Sequence, residues 1–136
     1  MFEVENIRVV GVGGIGGALA SPLCRYLQYS KSTDLPPRVT LIDGDYYEEK
    51  NLERQNCSPG DLAINKAQAE VEKLSKQFSG LELEAFPYFL TPENIREAVP
   101  EKSVVFVGVD NHKTRKLIAD RADELTNVVI ISGGNE

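Results

Sequence analysis

The stretch VVGVGGIGGALASPL, residues 9–23, joins a short apolar strand to a helical segment through a cluster of glycines. Gly11, Gly13 and Gly16 fit the pattern GxGxxG at this junction. Small residues at such a turn let the backbone approach a phosphate, and the start of the following helix offers N–H donors and partial positive charge. A tight turn without any ligand would use the same glycines. The motif alone is therefore weak evidence for a phosphate site.

Around this junction the sequence alternates between strand-like and helical segments. Strands rich in β-branched residues are predicted at 7–12, 39–42, 81–86, 104–109 and 128–131. Because these strands are apolar on both faces and are separated by helices, they predict a parallel sheet that is covered on both sides. Right-handed crossovers then give an α/β fold with a doubly wound, Rossmann-like sheet of order 3-2-1-4-5.

The clearest predicted helix begins near Lys66. Lys66 and Glu70 are among the charged residues expected to face away from the core. The apolar face, spaced by three and four residues, consists of Ile64, Ala67, Val71, Leu74 and Phe78. Two more helices are expected, one capped by Asp110 or Asn111 and a shorter one with Pro92 at its first position. Pro22 is expected to kink the first helix or to shift its boundaries.

The composition is that of one soluble globular domain. The chain has 136 residues, of which 41% are hydrophobic and 26% charged, so it can bury a core without metal or disulfide staples. The net charge of −6 works against broad contacts with nucleic acid or an anionic membrane, and neither is expected as a partner. The two cysteines, Cys24 and Cys57, show no CxxC spacing, and no export signal or long apolar run occurs. These features predict a reducing, cytoplasmic setting.

A carboxylate after the second strand strengthens the nucleotide interpretation. Asp43 directly follows the predicted strand at 39–42, and a carboxylate at this position of a Rossmann-like sheet typically accepts hydrogen bonds from a ribose hydroxyl. NAD, FAD and ATP all contain such a ribose. The glycine turn and Asp43 do not distinguish among these three nucleotides.

Four motifs follow one another in a fixed order along the chain. The first is GxGGxG, in which Gly14 joins the three glycines named above. The second is LIDGDYYEEKNLERQ, residues 41–55, with an Asp-x-Asp strand end followed by Asn-Leu-x-Arg-Gln. The third is INKAQA with Lys66, and the fourth is VGVDNHKTR with Asp110. Together, and over essentially the whole chain, they resemble the ubiquitin-activating-enzyme superfamily, which includes the bacterial ThiF and MoeB adenylyltransferases.

The resemblance implies an ATP-dependent adenylyltransferase that activates the C-terminal carboxylate of a ubiquitin-like or sulfur-carrier protein ending in Gly-Gly. It implies catalytic roles for Arg54, Lys66 and Asp110, with Asp110 as the ligand of Mg²⁺ and Asp43 as the ribose acceptor. Positive groups are needed because two anions must be brought together while pyrophosphate leaves. Arg54 offers a planar fork for phosphate oxygens, and Lys66 a mobile point charge. The implied nucleotide-binding residues are Gly11, Gly13, Gly14, Gly16, Asp43, Asp45, Asn51, Arg54, Gln55 and Lys66.

Two other functions stay open at this point. A dinucleotide-dependent oxidoreductase would leave Arg54, Lys66 and Asp110 without a task. A non-catalytic scaffold, similar to the inactive halves of heterodimeric activating enzymes, would not need all three. His112 is expected to be an exposed residue of the first helical turn, and Cys57 is not expected to be a nucleophile.

The chain is interpreted as one adenylation domain, residues 1–136, that is truncated at its C-terminus. This expectation follows from the resemblance, because relatives continue well beyond the fifth strand. Only six residues precede the first predicted strand, so the resemblance leads us to expect no counterpart here of the N-terminal helix that carries an arginine into the partner subunit's site in relatives. Since relatives are generally dimers or pseudo-dimers, a homodimer or pseudo-dimer is expected here.

Overall fold

The computed structural model describes residues 2–30, 36–47 and 64–132. In that part of the chain, five strands alternate with four helices. The strands are β1 (Asn6–Val10), β2 (Arg38–Ile42), β3 (Leu83–Phe86), β4 (Ser103–Val107) and β5 (Val128–Ser132), and the helices are α1 (Ile15–Tyr29), α2 (Lys66–Gln77), α3 (Ile95–Ala98) and α4 (His112–Glu124). The strands pair in parallel in the order β3-β2-β1-β4-β5. The predicted doubly wound topology is confirmed.

The strand order creates a crevice at the carboxyl end of β1. Strand β1 pairs with β2 on one side and with β4 on the other, so that Val9 lies between Leu41 and Phe106. The helices that follow β1 and β4 cover opposite faces of the sheet, and ligands of open parallel sheets bind outside such a switch point. The glycine cluster of residues 11–16 lies at this crevice.

Two hydrophobic clusters cover the two faces of the sheet. Alternating residues of β1 separate them, because Ile7 and Val9 pack with residues of α1 and α2, whereas Val10 packs with residues of α3 and α4. The central strands are apolar on both faces, as expected of a covered parallel sheet. Arg8 and Thr40 are buried polar exceptions.

Two strands end earlier than predicted, each directly before a glycine. β1 ends at Val10 instead of residue 12, and β4 ends at Val107 instead of residue 109. Gly11 has a φ of 91°, which takes the chain out of the extended conformation. Helix α1 continues through Pro22 to Tyr29, so neither of its boundaries lies at the proline. At 15 residues α1 is the longest described helix, and no helix in the described ranges is long and apolar enough to cross a bilayer.

The outward face predicted for α2 is wrong at two positions. Lys66 and Glu70 are buried, whereas Ile64, expected in the core, is 38% exposed. Lys66 is buried because the segment after β2 packs over the start of the helix. Glu70 lies near Cys24 of α1, since it contributes, after burial, to raising the pKa of that thiol to about 11. Helix α3 is also shorter than predicted, because the residues from Pro92 to Asn94 form a turn before it.

Candidate nucleotide-binding site

The glycine turn, residues 11–16, connects β1 to α1. The N–H of Gly11 donates to the carbonyl of Ile42 at 2.8 Å, which holds the turn against the end of β2. A Cβ at position 16 would lie 1.6 Å from the carbonyl oxygen of Gly11, so only glycine fits there. Gly14 is the N-cap residue of α1, and no side chain caps the helix. The first N–H groups of α1 therefore stay available to an anion.

Asp43 ties the end of β2 to this turn. Its Oδ2 accepts a hydrogen bond from the N–H of Val12 at 2.8 Å, and its Oδ1 accepts one from the N–H of Asp45 at 2.9 Å. The N–H of Asp43 donates to the carbonyl of Phe86 at 3.2 Å. A carboxylate has about four lone-pair sites, so these contacts leave acceptor capacity for a ribose hydroxyl. The ribose contact itself stays a prediction.

Lys66 is the first residue of α2 and is held in place by its surroundings. Its side chain is 9% exposed, and its Nζ lies 3.7 Å from Oδ2 of Asp45 and 5.7 Å from the ring centroid of Tyr47. Its N–H donates to the carbonyl of Asp45 at 2.9 Å. The ammonium therefore lies beside the segment that follows β2, and its role as a point charge for phosphate stays a prediction.

An aromatic wall completes the crevice, and sequence reasoning missed it. Tyr88 and Phe89, both exposed, follow β3. A Cβ at Gly44 would lie 2.5 Å from the Phe89 ring, so this glycine lets the two loops meet. The cavity of about 60 Å³ between them is lined by Val10, Gly11, Ile42, Asp43, Gly44, Tyr88, Phe89, Leu90, Val109 and Thr114. The run of aromatic residues in FPYFL, residues 86–90, was the available signal.

Asp110 is exposed after β4, on the other side of β1 from Asp43. Its neighbour Val109 lines the crevice, so the backbone at Asp110 lies at the carboxyl edge of the sheet close to the site. Asn111 caps α4 by accepting from the N–H groups of Lys113 at 2.8 Å and Thr114 at 3.2 Å. His112 is exposed in the first turn of α4, which confirms that expectation.

Three of the predicted site residues lie outside the described ranges, and the structure gives no account of them. They are Asn51, Arg54 and Gln55. Among the residues that are described, the glycine turn, Asp43, Asp45 and Lys66 form one connected group. Within the same ranges, no cluster of three or more His, Cys, Asp or Glu residues could hold a metal ion alone.

A glycine turn at the switch point of a parallel sheet, with a carboxylate and a buried lysine beside it, defines a Rossmann-like α/β domain. The chain belongs to the ThiF family, whose model matches residues 3–136. It is 30% identical over 117 residues to the sulfur carrier protein ThiS adenylyltransferase of Bacillus subtilis, covering 84% of this chain and 32% of that protein. It is 29% identical over 128 residues to the adenylyltransferase and sulfurtransferase UBA4 of Yarrowia lipolytica, covering 94% and 30%.

The fold is also that of solved structures with low sequence identity. One is the E. coli tRNA N6-threonylcarbamoyladenosine dehydratase TcdA in complex with AMP, with a TM-score of 0.74 and 23% identity. The match covers 93% of this chain and 50% of TcdA. The chain thus spans about a third of the length of the two relatives above and half of that structure.

Proposed function

We propose that the protein adenylates the C-terminal carboxylate of a ubiquitin-like or sulfur-carrier protein, with ATP as the second substrate. The observation that carries this proposal is the nearly buried side chain of Lys66, whose ammonium lies 3.7 Å from Oδ2 of Asp45, two residues after the Asp43 that is bonded to the glycine turn. A cation in the first turn opposes the helix dipole, so helix stability does not account for its position. A bound triphosphate does account for it.

In the proposed reaction, a carboxylate oxygen of the carrier attacks the α-phosphorus of ATP. The bond from that phosphorus to the bridging oxygen of pyrophosphate breaks, and an acyl-adenylate and pyrophosphate result. Gly14 and the start of α1 receive phosphate oxygens, Asp43 accepts from the ribose, and Lys66 stabilises the charge that develops on the leaving group. By the family resemblance, Arg54 contacts phosphate oxygens, and Asn51 and Gln55 also bind the nucleotide.

Asp110 is the proposed ligand of Mg²⁺. A single exposed carboxylate at the carboxyl edge of the sheet suits a magnesium ion that takes its other ligands from phosphates and water, which is how this ion usually binds at ATP sites. It does not suit an ion held by protein groups alone. When bound, Mg²⁺ would neutralise charge on the phosphate oxygens.

The two other functions explain less of the structure. A dinucleotide-dependent oxidoreductase would use the glycine turn and Asp43 but would leave the ammonium of Lys66 unexplained. A non-catalytic scaffold would have no task for a lysine ammonium beside the nucleotide site.

The proposed protein partner is a carrier ending in Gly-Gly. The proposed assembly is a homodimer that forms through the outer face of α1. Arg25 is the only charged residue in this helix, and Tyr26 and Tyr29 are 71% and 67% exposed. An apolar cavity of about 240 Å³ lies beside the helix, lined by Leu19, Phe106 and Ile131 among others. Protruding rings on α1 and a cavity between its first turn and the sheet suit a two-fold contact, in which a ring of each copy enters the cavity of the other.

The proposed activity is tested by exchange of labelled pyrophosphate into ATP. We expect exchange only when a carrier ending in Gly-Gly is present, and we expect Asp110→Ala to abolish it without unfolding the protein. Calorimetry with ATP and with NAD provides the comparison of ligands. Preference for NAD, or exchange that survives Asp110→Ala, would contradict the proposal in its present form.

A further inference from the structure

Asn65 is a buried polar residue to which the sequence drew no attention. It is 1% exposed and precedes Lys66 directly. Its Oδ1 accepts from the N–H of Gln68 at 3.1 Å, which caps α2. Its Nδ2 donates to the carbonyl oxygens of Asp43 at 2.8 Å and of Asp45 at 3.1 Å. One side chain therefore joins the start of α2 to the segment that follows β2.

Capping alone does not require these donated bonds. Asn111 caps α4 in the same way with its Oδ1, and it is exposed. A serine, threonine or aspartate would supply the acceptor equally well. The two bonds from Nδ2 of Asn65 fix instead the carbonyls of Asp43 and Asp45, the two residues whose carboxylates lie between the glycine turn and Lys66.

We propose that Asn65 is a positioning residue, which holds Lys66 at the distance from the glycine turn at which its ammonium can meet the phosphates of the nucleotide. This rests on the proposed ATP site. Asp43 has further anchors, because it is bonded to Val12 and to Phe86. The link between Asp45 and the start of α2 depends on Asn65 and on the N–H of Lys66.

Because Asp43 has more anchors than Lys66, we expect Asn65 to affect the binding of the phosphates more than the binding of the ribose. The ribose acceptor Asp43 keeps its place when Asn65 is changed, because its other bonds remain. Without Asn65, the position of Lys66 relative to the glycine turn is no longer maintained. Its ammonium can then approach Asp45 more closely instead of the phosphates. The affinity for ATP should therefore fall more than the affinity for adenosine.

The test compares Asn65→Ser with Ser103→Ala. Serine keeps the cap of α2 and removes both donated bonds. Ser103 is buried and its Oγ donates to the carbonyl of Pro100 at 2.7 Å, so its loss removes a buried bond of the same kind at the other end of the sheet. Binding of ATP and of adenosine is measured by calorimetry on the purified protein. We expect Asn65→Ser to weaken ATP binding on the order of tenfold and adenosine binding much less, and Ser103→Ala to change neither.

A double-mutant cycle with Lys66→Met tests whether Asn65 acts through Lys66. If it does, Asn65→Ser has no further effect on ATP affinity once the ammonium is gone. Equal effects of Asn65→Ser in the two backgrounds, or equal losses for ATP and adenosine, would overturn the positioning role. If the serine variant does not fold, Asn65→Asp retains the cap and lacks the donors, and the same cycle applies. Failure of the unaltered protein to bind ATP would instead refute the proposed function.

Discussion

Two buried cations, Lys66 and Arg8, lie in contrasting parts of the sheet. Lys66 begins α2 at the carboxyl edge, next to the carboxylate of Asp45, which is 61% exposed. Arg8 lies in the middle of β1, where Thr40 of β2 and Val105 of β4 are its register partners. Both cations are buried to a similar extent, but Lys66 lies beside an exposed carboxylate at the carboxyl edge of the sheet, whereas Arg8 lies on the face of the sheet that α3 and α4 cover.

Arg8 is a buried structural charge whose guanidinium is only partly hydrogen-bonded. Its Nη1 donates to Oγ1 of Thr40 and its Nη2 to Oδ1 of Asn6. Within the described ranges, no acceptor lies within reach of its Nε. Burial lowers the pKa of Arg8, while Glu84 acts in the opposite direction. Burial of a charged side chain therefore indicates a binding site only where a ligand can approach the charge.

Replacing each cation by methionine should separate the two roles most strongly. Lys66→Met removes the charge that faces the leaving group, so we expect pyrophosphate exchange to fall by roughly 10²- to 10³-fold, as for loss of one transition-state donor. The free energy of unfolding should stay the same or rise, because a partly compensated buried charge is lost. Arg8→Met is the matched control and should leave exchange unchanged.

The outcome of that pair is decisive in either direction. If Arg8→Met reduced exchange as much as Lys66→Met, the distinction between a cation at the carboxyl edge of the sheet and one on its covered face would fail. If neither variant affected exchange in a folded protein, the role proposed for Lys66 would be wrong.

The free energy of unfolding tests whether the buried charge of Arg8 is compensated by its hydrogen bonds. Replacing Arg8 and Thr40 together, as Arg8→Leu with Thr40→Val, removes the buried charge and its hydroxyl partner. We expect a gain of about 1–3 kcal/mol in the free energy of unfolding, measured by urea denaturation. Arg8→Leu alone leaves the hydroxyl of Thr40 without that donor and should gain less by about 1 kcal/mol. A loss of stability in the double variant would mean that the arginine is well compensated.

The topology could be predicted because each strand contains a run of β-branched residues that identifies it in the sequence. The alternation of strands and helices led directly to the order 3-2-1-4-5, and the glycine turn was assigned to the correct junction. The face of α2 was not predicted fully, because periodicity identifies the apolar residues but does not say which neighbouring segment covers the flanks. Lys66 and Glu70 flank the apolar stripe, and the segment after β2 and helix α1 cover them.

The candidate site was predictable where it follows a motif and unpredictable where it depends on two loops meeting. Asp43 and Lys66 were selected from their motifs, although the burial of Lys66 was not predicted. Asn65 was missed because an asparagine before a helix is sufficiently explained as a cap. Its two donated bonds depend on carbonyls some 20 residues earlier in the chain, which no local pattern encodes.

The smallest expected effect concerns the partner of Lys66. Because Asp45 is mostly exposed and its Oδ2 lies 3.7 Å from Nζ, the pair should contribute less than about 1 kcal/mol to stability. Asp45→Asn should therefore change the free energy of unfolding no more than Asp120→Asn, which removes a surface pair with Lys116 in α4. Thermal denaturation of both variants provides the comparison. A much larger loss for Asp45→Asn would show that Asp45 already compensates Lys66, and the ammonium would then have no need of a phosphate to stabilise its position.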